Sequence, residues 1–292
     1  MKNITGIILA GGTGSRLRPI TTTVNKHFLP VYNKPMIYYP LSILLLLGLK
    51  KIIIISDKLS IRSYKKLLND GSFLGVNISY LVQKKPNGIP ESFIIAKKKI
   101  NKGKTILILG DNFFYGKNLI NIISEEIKST KGCSFFGFKV SKPENYAVIS
   151  RKRKNIIIEE KPKNPKSEMA IPGLYIFDSK VIDYAKSLKK SSRGEFEIVD
   201  LIKKYVRNKN YSFSEIPRGV SWLDMGTFDD LVLCSSLIKT LEDRQNLMIG
   251  SPEEIAFRMG NISKIKLQKQ AKKHKNFYGK YLYDISVEKK KN

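Results

Sequence analysis

Short apolar runs recur along the chain and alternate with stretches patterned as helices. Ile4–Ala10, Lys51–Ser56, Ile78–Val82 and Thr105–Leu109 have the length and composition of strands buried on both faces. Between them lie helical stretches at Ile37–Leu47, Ile61–Leu68 and Glu91–Ile100, with another at Leu119–Lys128. This alternation predicts a mainly parallel sheet covered by helices on both faces. Beyond Ser134 the strand-like runs crowd together at Ser134–Val140, Ala147–Ser150, Ile156–Glu160 and Gly173–Phe177, which predicts an antiparallel or mixed insertion. From about Phe228 helical patterns take over. Pro252-Glu253-Glu254 reads as a first helical turn, and Thr227 or Ser251 as a helix cap. The expected class is α/β: a Rossmann-like, mixed and mainly parallel sheet flanked by helices, with a C-terminal helical extension. The division is placed at 1–235 for the main domain and 236–292 for the extension, with Lys289–Asn292 frayed.

The length, 292 residues, is enough to bury a large core. The longest apolar stretch, Leu41–Leu49, is far shorter than the roughly 20 residues a membrane-spanning helix needs. The chain begins almost directly with a strand, so no signal peptide is expected. Cys133 and Cys234 lack metal-ligand spacing and read as inert thiols of a reducing compartment. A soluble cytoplasmic protein with no membrane partner is expected.

A net charge of +28 raises the question of nucleic acid. The lysines, however, are spread along the chain with small clusters at Lys97–Lys99, Arg151–Lys154 and Lys189–Lys190. Ten more fall between Lys264 and Asn292 against Asp284 and Glu288. No zinc-finger or aromatic RNA-binding signature accompanies them, and the abundance of lysine, isoleucine and asparagine fits codon bias. Solvated surface lysine is the preferred reading, with no nucleic-acid partner.

The chemistry concentrates where the first strand ends. Ile7-Ile8-Leu9-Ala10 runs into Gly11-Gly12-Thr13-Gly14-Ser15-Arg16-Leu17-Arg18-Pro19. Glycines permit a tight loop at positive φ and a close backbone approach to a ligand. Successive N–H groups in such a loop cradle anionic oxygens, and Arg16, Arg18 and Lys26 add fixed positive charge. The order excludes a P-loop, since no Gly-Lys-Ser/Thr occurs, and a dinucleotide fingerprint, which would need glycine where Leu17 stands. Gly110-Asp111-Asn112 falls at the end of another strand, where open α/β sheets bind ligands.

The pattern Leu-Ala-Gly-Gly-x-Gly-x-Arg-Leu, followed by Pro-Ile-Thr and Asn25-Lys26-His27-Phe28-Leu29-Pro30, resembles the sugar-phosphate nucleotidylyltransferases. Longer runs narrow the resemblance to the glucose-1-phosphate thymidylyltransferases: Leu29–Ser42, Leu109–Gly116, Glu159–Pro162, Gly173–Tyr175, Arg193–Ile198, Trp222–Asp224 and Pro252–Arg258. It implies a nucleotide-binding part over about 1–130 and a sugar-binding part over about 131–227. It implies dTTP and glucose 1-phosphate as substrates, dTDP-glucose and pyrophosphate as products, and Mg²⁺ held by Asp111 and Asp224. It places the nucleotide against Leu9, Gly11, Gly12, Thr13, Gly14, Arg16, Lys26, His27, Gln83, Gly88 and Asp111. It places the sugar phosphate against Tyr146, Ala147, Glu160, Lys161, Ile171 and Arg193. Arg16, Lys26, Asp111 and Lys161 would carry catalysis, and the assembly would be a homotetramer serving dTDP-sugar synthesis such as that of dTDP-rhamnose.

Residue chemistry agrees with these roles. Gln83 offers a donor and an acceptor to a pyrimidine edge. Glu160 can accept sugar hydroxyls while Lys161 presents a compact charge to phosphate. Magnesium takes only one or two protein carboxylates, so two aspartates suffice. Glu195 and Glu197, at strand spacing around Phe196, would share a face, which raises glycoside hydrolysis; phosphate machinery would be idle in such a hydrolase. His27 and His274 form no nucleophile–base pair, in keeping with a substrate phosphate that is itself the nucleophile. Three positions depart from the family: His27 stands for Gln, Ala147 for Gly and Met225 for Thr. Ile120 and Asn121 depart in the region of the family's regulatory nucleotide-sugar site. Alternatives are a uridylyltransferase, another hexose-1-phosphate nucleotidylyltransferase, or a non-catalytic nucleotide-sugar-binding regulatory protein.

Overall fold

A computed structural model describes residues 3–100, 103–152 and 155–288. The frayed end expected at Lys289–Asn292 and the tip of the Arg151–Lys154 cluster lie outside the described residues. The first part alternates β1 (Ile4–Leu9), a short hairpin of β2 (Pro30–Val31) and β3 (Lys34–Pro35), α1 (Tyr38–Leu46), β4 (Lys51–Ser56) and α2 (Lys58–Leu68). It continues with β5 (Asn77–Val82), α3 (Glu91–Ile100), β6 (Lys104–Leu109), β7 (Asn112–Gly116) and α4 (Leu119–Ser129). A strand-rich stretch follows: β8 (Cys133–Lys139), β9 (Ala147–Lys152), β10 (Asn155–Glu160), β11 (Met169–Ala170) and β12 (Leu174–Phe177). Then come α5 (Val181–Lys186), α6 (Ile198–Arg207), β13 (Tyr211–Glu215) and β14 (Val220–Asp224). The chain closes with α7 (Phe228–Gln245), α8 (Pro252–Arg258), α9 (Lys264–Ala271) and α10 (Phe277–Val287).

The mixed α/β sheet expected from the sequence is present. β5, β4, β1 and β6 pair in parallel, with β1 at the centre of that set. β12 joins β6 to β8 antiparallel, and β11, β9 and β10 extend the sheet beyond β8. β13 runs parallel along the other edge of β8. Separately, β14 pairs with β7 so that Asp224 lies opposite Asn112. The parallel strands read as continuous isoleucine and leucine because both faces are covered. One face packs on α1, α4 and the C-terminal helices, the other on α3, α5 and α6.

Helix boundaries follow their caps. α2 begins three residues before its apolar pattern does, because Asp57 Oδ1 accepts the N–H groups of Leu59 and Ser60 at 2.9 Å each. Thr227 and Asp230 form the reciprocal cap that starts α7. Ser251 stands at the start of α8 but makes no cap, since its hydroxyl meets that of Tyr278 at 3.0 Å. The expected strand around Phe196 is absent: Glu195 and Phe196 lie in a loop and Glu197 occupies the cap position of α6. Ile198, Val199, Leu201, Ile202 and Tyr205 give α6 its buried stripe, so the helix pattern decides this segment.

α7 runs unbroken across the expected division at 235–236. A buried ion pair, Lys34 to Glu242 at 2.8 Å, ties it to the β2–β3 hairpin. The Ile249 N–H also donates to Glu242, so the carboxylate is fully engaged rather than stranded. No helix among the described residues is long and apolar enough to cross a membrane.

Candidate active site

The carboxyl ends of β1, β4, β5 and β6 open into one cleft. Its first compartment, about 370 Å³, is lined by Gly11, Gly12, Thr13, Lys26 and Gln83. A second, about 290 Å³, shares Gly11, Gly12 and Gln83 and adds Leu9, Gly88, Glu160, Lys161 and Arg193. Lys161 then opens onto a third, about 750 Å³, with Arg16, Tyr146, Trp222 and Asp224. A separate groove of about 570 Å³ beside β9 and β13 gathers none of the expected residues.

The glycine loop owes its shape to backbone freedom. Gly12 and Gly14 take φ of 101° and 58°, where a side chain would be strained. Thr21 Oγ1 donates to the Gly14 carbonyl at 2.7 Å and pins the turn. Behind the loop stands a polar cluster that the sequence did not single out. Asn25 Nδ2 donates to the Ala10 carbonyl at 3.2 Å and to Asp57 Oδ2 at 3.3 Å, and Ser56 Oγ donates to the same carbonyl at 2.7 Å. Asn25 Oδ1 accepts from the backbone and Nδ1 of His27 at 3.0 and 2.7 Å.

His27 is 1% exposed, its ring standing against Gly110. Burial, reinforced by the Lys26 charge, pushes its pKa down to about 3, so it is a neutral, packed imidazole at physiological pH. Its neighbour Lys26 makes an ion pair with Asp111 Oδ2. Burial works against ionised Asp111, but the Lys26 ammonium outweighs it and holds the carboxyl well below the usual range. Asp224 differs: burial first, then Asp111 and Asp230 nearby, push it up to about 6 against the hydrogen bond from Tyr146. The Asp111 charge thus reaches Asp224, so the two carboxyls are electrostatic neighbours. Among the described residues no third His, Cys, Asp or Glu completes a metal cluster.

Gln83 is 6% exposed, and its Nε2 donates to Glu91 Oε2 at 2.8 Å. The amide is thereby oriented, with Oε1 toward Gly11. Glu91 also accepts from Asn87 at 2.8 Å. Gly88, at φ 102°, presses so closely on the Phe196 carbonyl that an added Cβ would stand 2.1 Å from that oxygen. The segment carrying Gln83 and the loop carrying Arg193 are thus packed backbone to backbone.

On the far wall, Arg193 bridges Glu197 at 2.7 Å and Glu160 at 3.2 Å. Burial and the neighbouring Glu197 raise the Glu160 pKa, while Arg193 and Lys161 oppose the rise. Lys161 is exposed with φ 44°, a left-handed non-glycine residue at the end of β10. Tyr146 gives its hydroxyl to Asp224 Oδ1 at 2.8 Å, linking this side of the cleft to that carboxyl. Ala147 and Ile171 are buried, the Ile171 N–H donating to the Ala147 carbonyl at 2.8 Å. The Ala147 methyl belongs to the core with Ile149 and Ile158, so the departure at this position falls on the core side. Met225 is likewise fully buried, with Val31, Met36 and Phe113, because alternation at the end of β14 sends it opposite to Asp224. Arg16, exposed, lays its guanidinium on Gly226, where an added Cβ would be 2.8 Å from Nη2.

Comparisons with known proteins agree with this geometry. The family model described as Nucleotidyl transferase matches residues 5–240. Glucose-1-phosphate thymidylyltransferase of Neisseria meningitidis is 44% identical over 280 residues, 95% of this chain and 97% of that one. The enzyme of the same name from Mycolicibacterium smegmatis is 44% identical, covering 96% and 98%. A solved Bacillus anthracis structure, provisionally described as a glucose-1-phosphate thymidylyltransferase and in complex with sucrose, superposes with TM-score 0.74 at 38% identity over 80% of this chain and 94% of that one. The chain therefore belongs to the nucleotidyl transferase family, among its glucose-1-phosphate thymidylyltransferases.

Proposed function

We propose that the protein transfers a thymidylyl group from dTTP to α-D-glucose 1-phosphate, giving dTDP-glucose and pyrophosphate for dTDP-sugar synthesis such as that of dTDP-rhamnose. The observation that carries this reading is the single cleft: an oriented pyrimidine-reading amide, a glycine cradle and a Glu–Lys pair face one another across it. Gln83 Oε1 is free to accept from the N3–H of thymine, and Gly88 bounds the same side. The N–H groups of Gly11–Gly14, with Arg16 and Lys26, hold the triphosphate. Glu160 accepts glucose hydroxyls and Lys161 takes the sugar phosphate.

Enzymes of this type use a divalent ion, and the donor set suits Mg²⁺, a hard cation that takes one or two protein carboxylates. Asp111 and Asp224 would hold it. When bound, such an ion neutralises the phosphates and the leaving pyrophosphate. The chain's own residues do the rest. The phosphate oxygen of glucose 1-phosphate is already anionic, so no side chain has to activate it. Lys161 on one side and Arg16 and Lys26 on the other bring two polyanions into line against their repulsion. Tyr146, held by Asp224, limits where the sugar can sit.

We place the reaction in the cytoplasm and the assembly as a homotetramer. α7 leaves Phe228 and Val232 exposed at 41% and 67%, apolar surface that a second copy would cover. The activity is tested by pyrophosphate release with glucose 1-phosphate, Mg²⁺ and either dTTP or UTP, beside an Asp111→Asn control. Release with dTTP that the control lacks is expected. Equal or faster release with UTP would move the assignment to a uridylyltransferase, and silence in both would favour a nucleotide-sugar sensor.

A further inference from the structure

Behind the two carboxylates stands one buried amide. Asn112 is 2% exposed and begins β7. Its Oδ1 accepts from the Gly173 backbone N–H at 2.9 Å and from Trp222 Nε1–H at 2.7 Å. Both partners can only donate, so chemistry fixes which end of the amide is oxygen. The Nδ2 end therefore donates, and it reaches Asp111 Oδ1 at 3.0 Å. Trp222 in turn lies against Tyr146, ring centroids 5.0 Å apart, and the Tyr146 hydroxyl donates to Asp224 Oδ1. Contacts thus run from one carboxylate to the other through Asn112, Trp222 and Tyr146, and the pairing of β14 with β7 closes the ring. There is no slack in it: a Cβ on Gly173 would stand 2.8 Å from Asn112 Oδ1.

We propose that Asn112 is a positioning residue that sets the direction of the Asp111 carboxylate and, through Trp222 and Tyr146, its relation to Asp224. The two bonds accepted by Oδ1 are enough to tie β7, β14 and the turn before β12 together. The bond given to Asp111 is surplus to that purpose, since it ties no further element of the fold. A fixed N–H there removes rotation of the carboxylate. With Lys26 on Oδ2 and Asn112 on Oδ1, both oxygens are aimed before any ligand arrives.

This inference rests on the reading that Asp111 and Asp224 hold the divalent ion, and the test separates the two. Trp222 is the single tryptophan of the chain, so its fluorescence reports on the ring without a label. Mn²⁺ is titrated into the full-length protein, followed by Trp222 fluorescence and water-proton relaxation, for wild type, Asp111→Asn, Asn112→Asp and Trp222→Phe. The last variant is read by relaxation alone. Asn112→Asp keeps the volume and both accepted bonds and puts a carboxyl where the donor to Asp111 stood. The expected result is Mn²⁺ affinity and kcat both lower by about 10–100-fold, the usual scale for an outer partner of a metal ligand. KM for glucose 1-phosphate stays near wild type, while the melting temperature falls because the new carboxyl is buried beside another. Two carboxyls at that distance share a proton that competes with a cation, so orientation is read from the charge-neutral Trp222→Phe. Trp222→Phe removes one donor to Asn112 while keeping an aromatic ring, and a smaller loss in the same direction is expected; it carries the test if Asn112→Asp does not fold. Unchanged or tighter Mn²⁺ binding in whichever of these variants folds overturns the role of Asn112. Wild-type binding by Asp111→Asn, or no response from wild type, removes the metal reading instead.

Discussion

On the glycine-loop side of the cleft, a backbone turn sets the surface that Lys26 and Gln83 complete. Gly11, Gly12 and Gly14 shape it, and Asn25 and Ser56 hold it from behind through the Ala10 carbonyl. On the opposite side the surface is made of charged side chains, Glu160, Lys161 and Arg193, held by one another. The first wall is set before a nucleotide binds. The second has Glu160 already engaged by Arg193, so a sugar bound there as proposed would share or exchange that partner. The difference suits the proposed ligands: triphosphate oxygens accept from any row of N–H groups, whereas glucose hydroxyls need particular acceptors at particular places. The carboxylate pair of Asp111 and Asp224 stands where the two walls meet.

Variants that act on one wall or on the junction can break this comparison. The largest effect is expected at the junction: Asp111→Asn should lower turnover in the pyrophosphate assay by at least about 10²-fold, the scale lost with one element of transition-state electrostatics. Full activity there would remove the metal assignment. Next comes Gly88→Ala, which places a methyl 2.1 Å from the Phe196 carbonyl at a φ of 102°. Strain of that kind costs on the order of 1–3 kcal/mol, read from a denaturation midpoint, and both KM values should rise because Gly88 joins the walls. Glu91→Ala acts on the nucleotide wall alone. It frees the Gln83 amide to flip, and losing one hydrogen bond's orientation should raise the dTTP KM about 3–10-fold while that for glucose 1-phosphate stays put. The smallest effect is expected from Ala147→Gly, about 0.5–1 kcal/mol of stability with unchanged KM for both substrates, since that methyl packs in the core.

The two walls were also unequally legible in the sequence. A glycine loop after an apolar strand announces its own conformation, because only glycine takes those φ values without strain. The parallel strands were plain for a similar local reason: burial on both faces leaves unbroken apolar runs. What the sequence hid were partners brought together by folding. Asn25, Glu91 and Asn112 are ordinary polar residues until they lie beside Ala10, Gln83 and Asp111. Glu195 and Glu197 alternate as in a strand, yet their spacing runs from a loop into a helix cap. Family differences at Ala147 and Met225 lie next in sequence to Tyr146 and Asp224. Their side chains point into the core, a distinction that residue order alone does not make.

The central claim is that one cleft holds a backbone-built nucleotide wall and a side-chain-built sugar wall that act separately. Its most direct test is the pair of KM values, for dTTP and for glucose 1-phosphate, in Glu160→Gln against wild type across pH. The account expects the glucose 1-phosphate KM to rise about tenfold, the equivalent of one charged hydrogen bond, with the dTTP KM unchanged. Because the Glu160 carboxyl titrates above its ordinary value, wild type should lose sugar affinity as pH falls, starting above the ordinary carboxylate range. The glutamine variant should lack that component. A parallel rise in both KM values, or no change in either, would contradict the division into two walls.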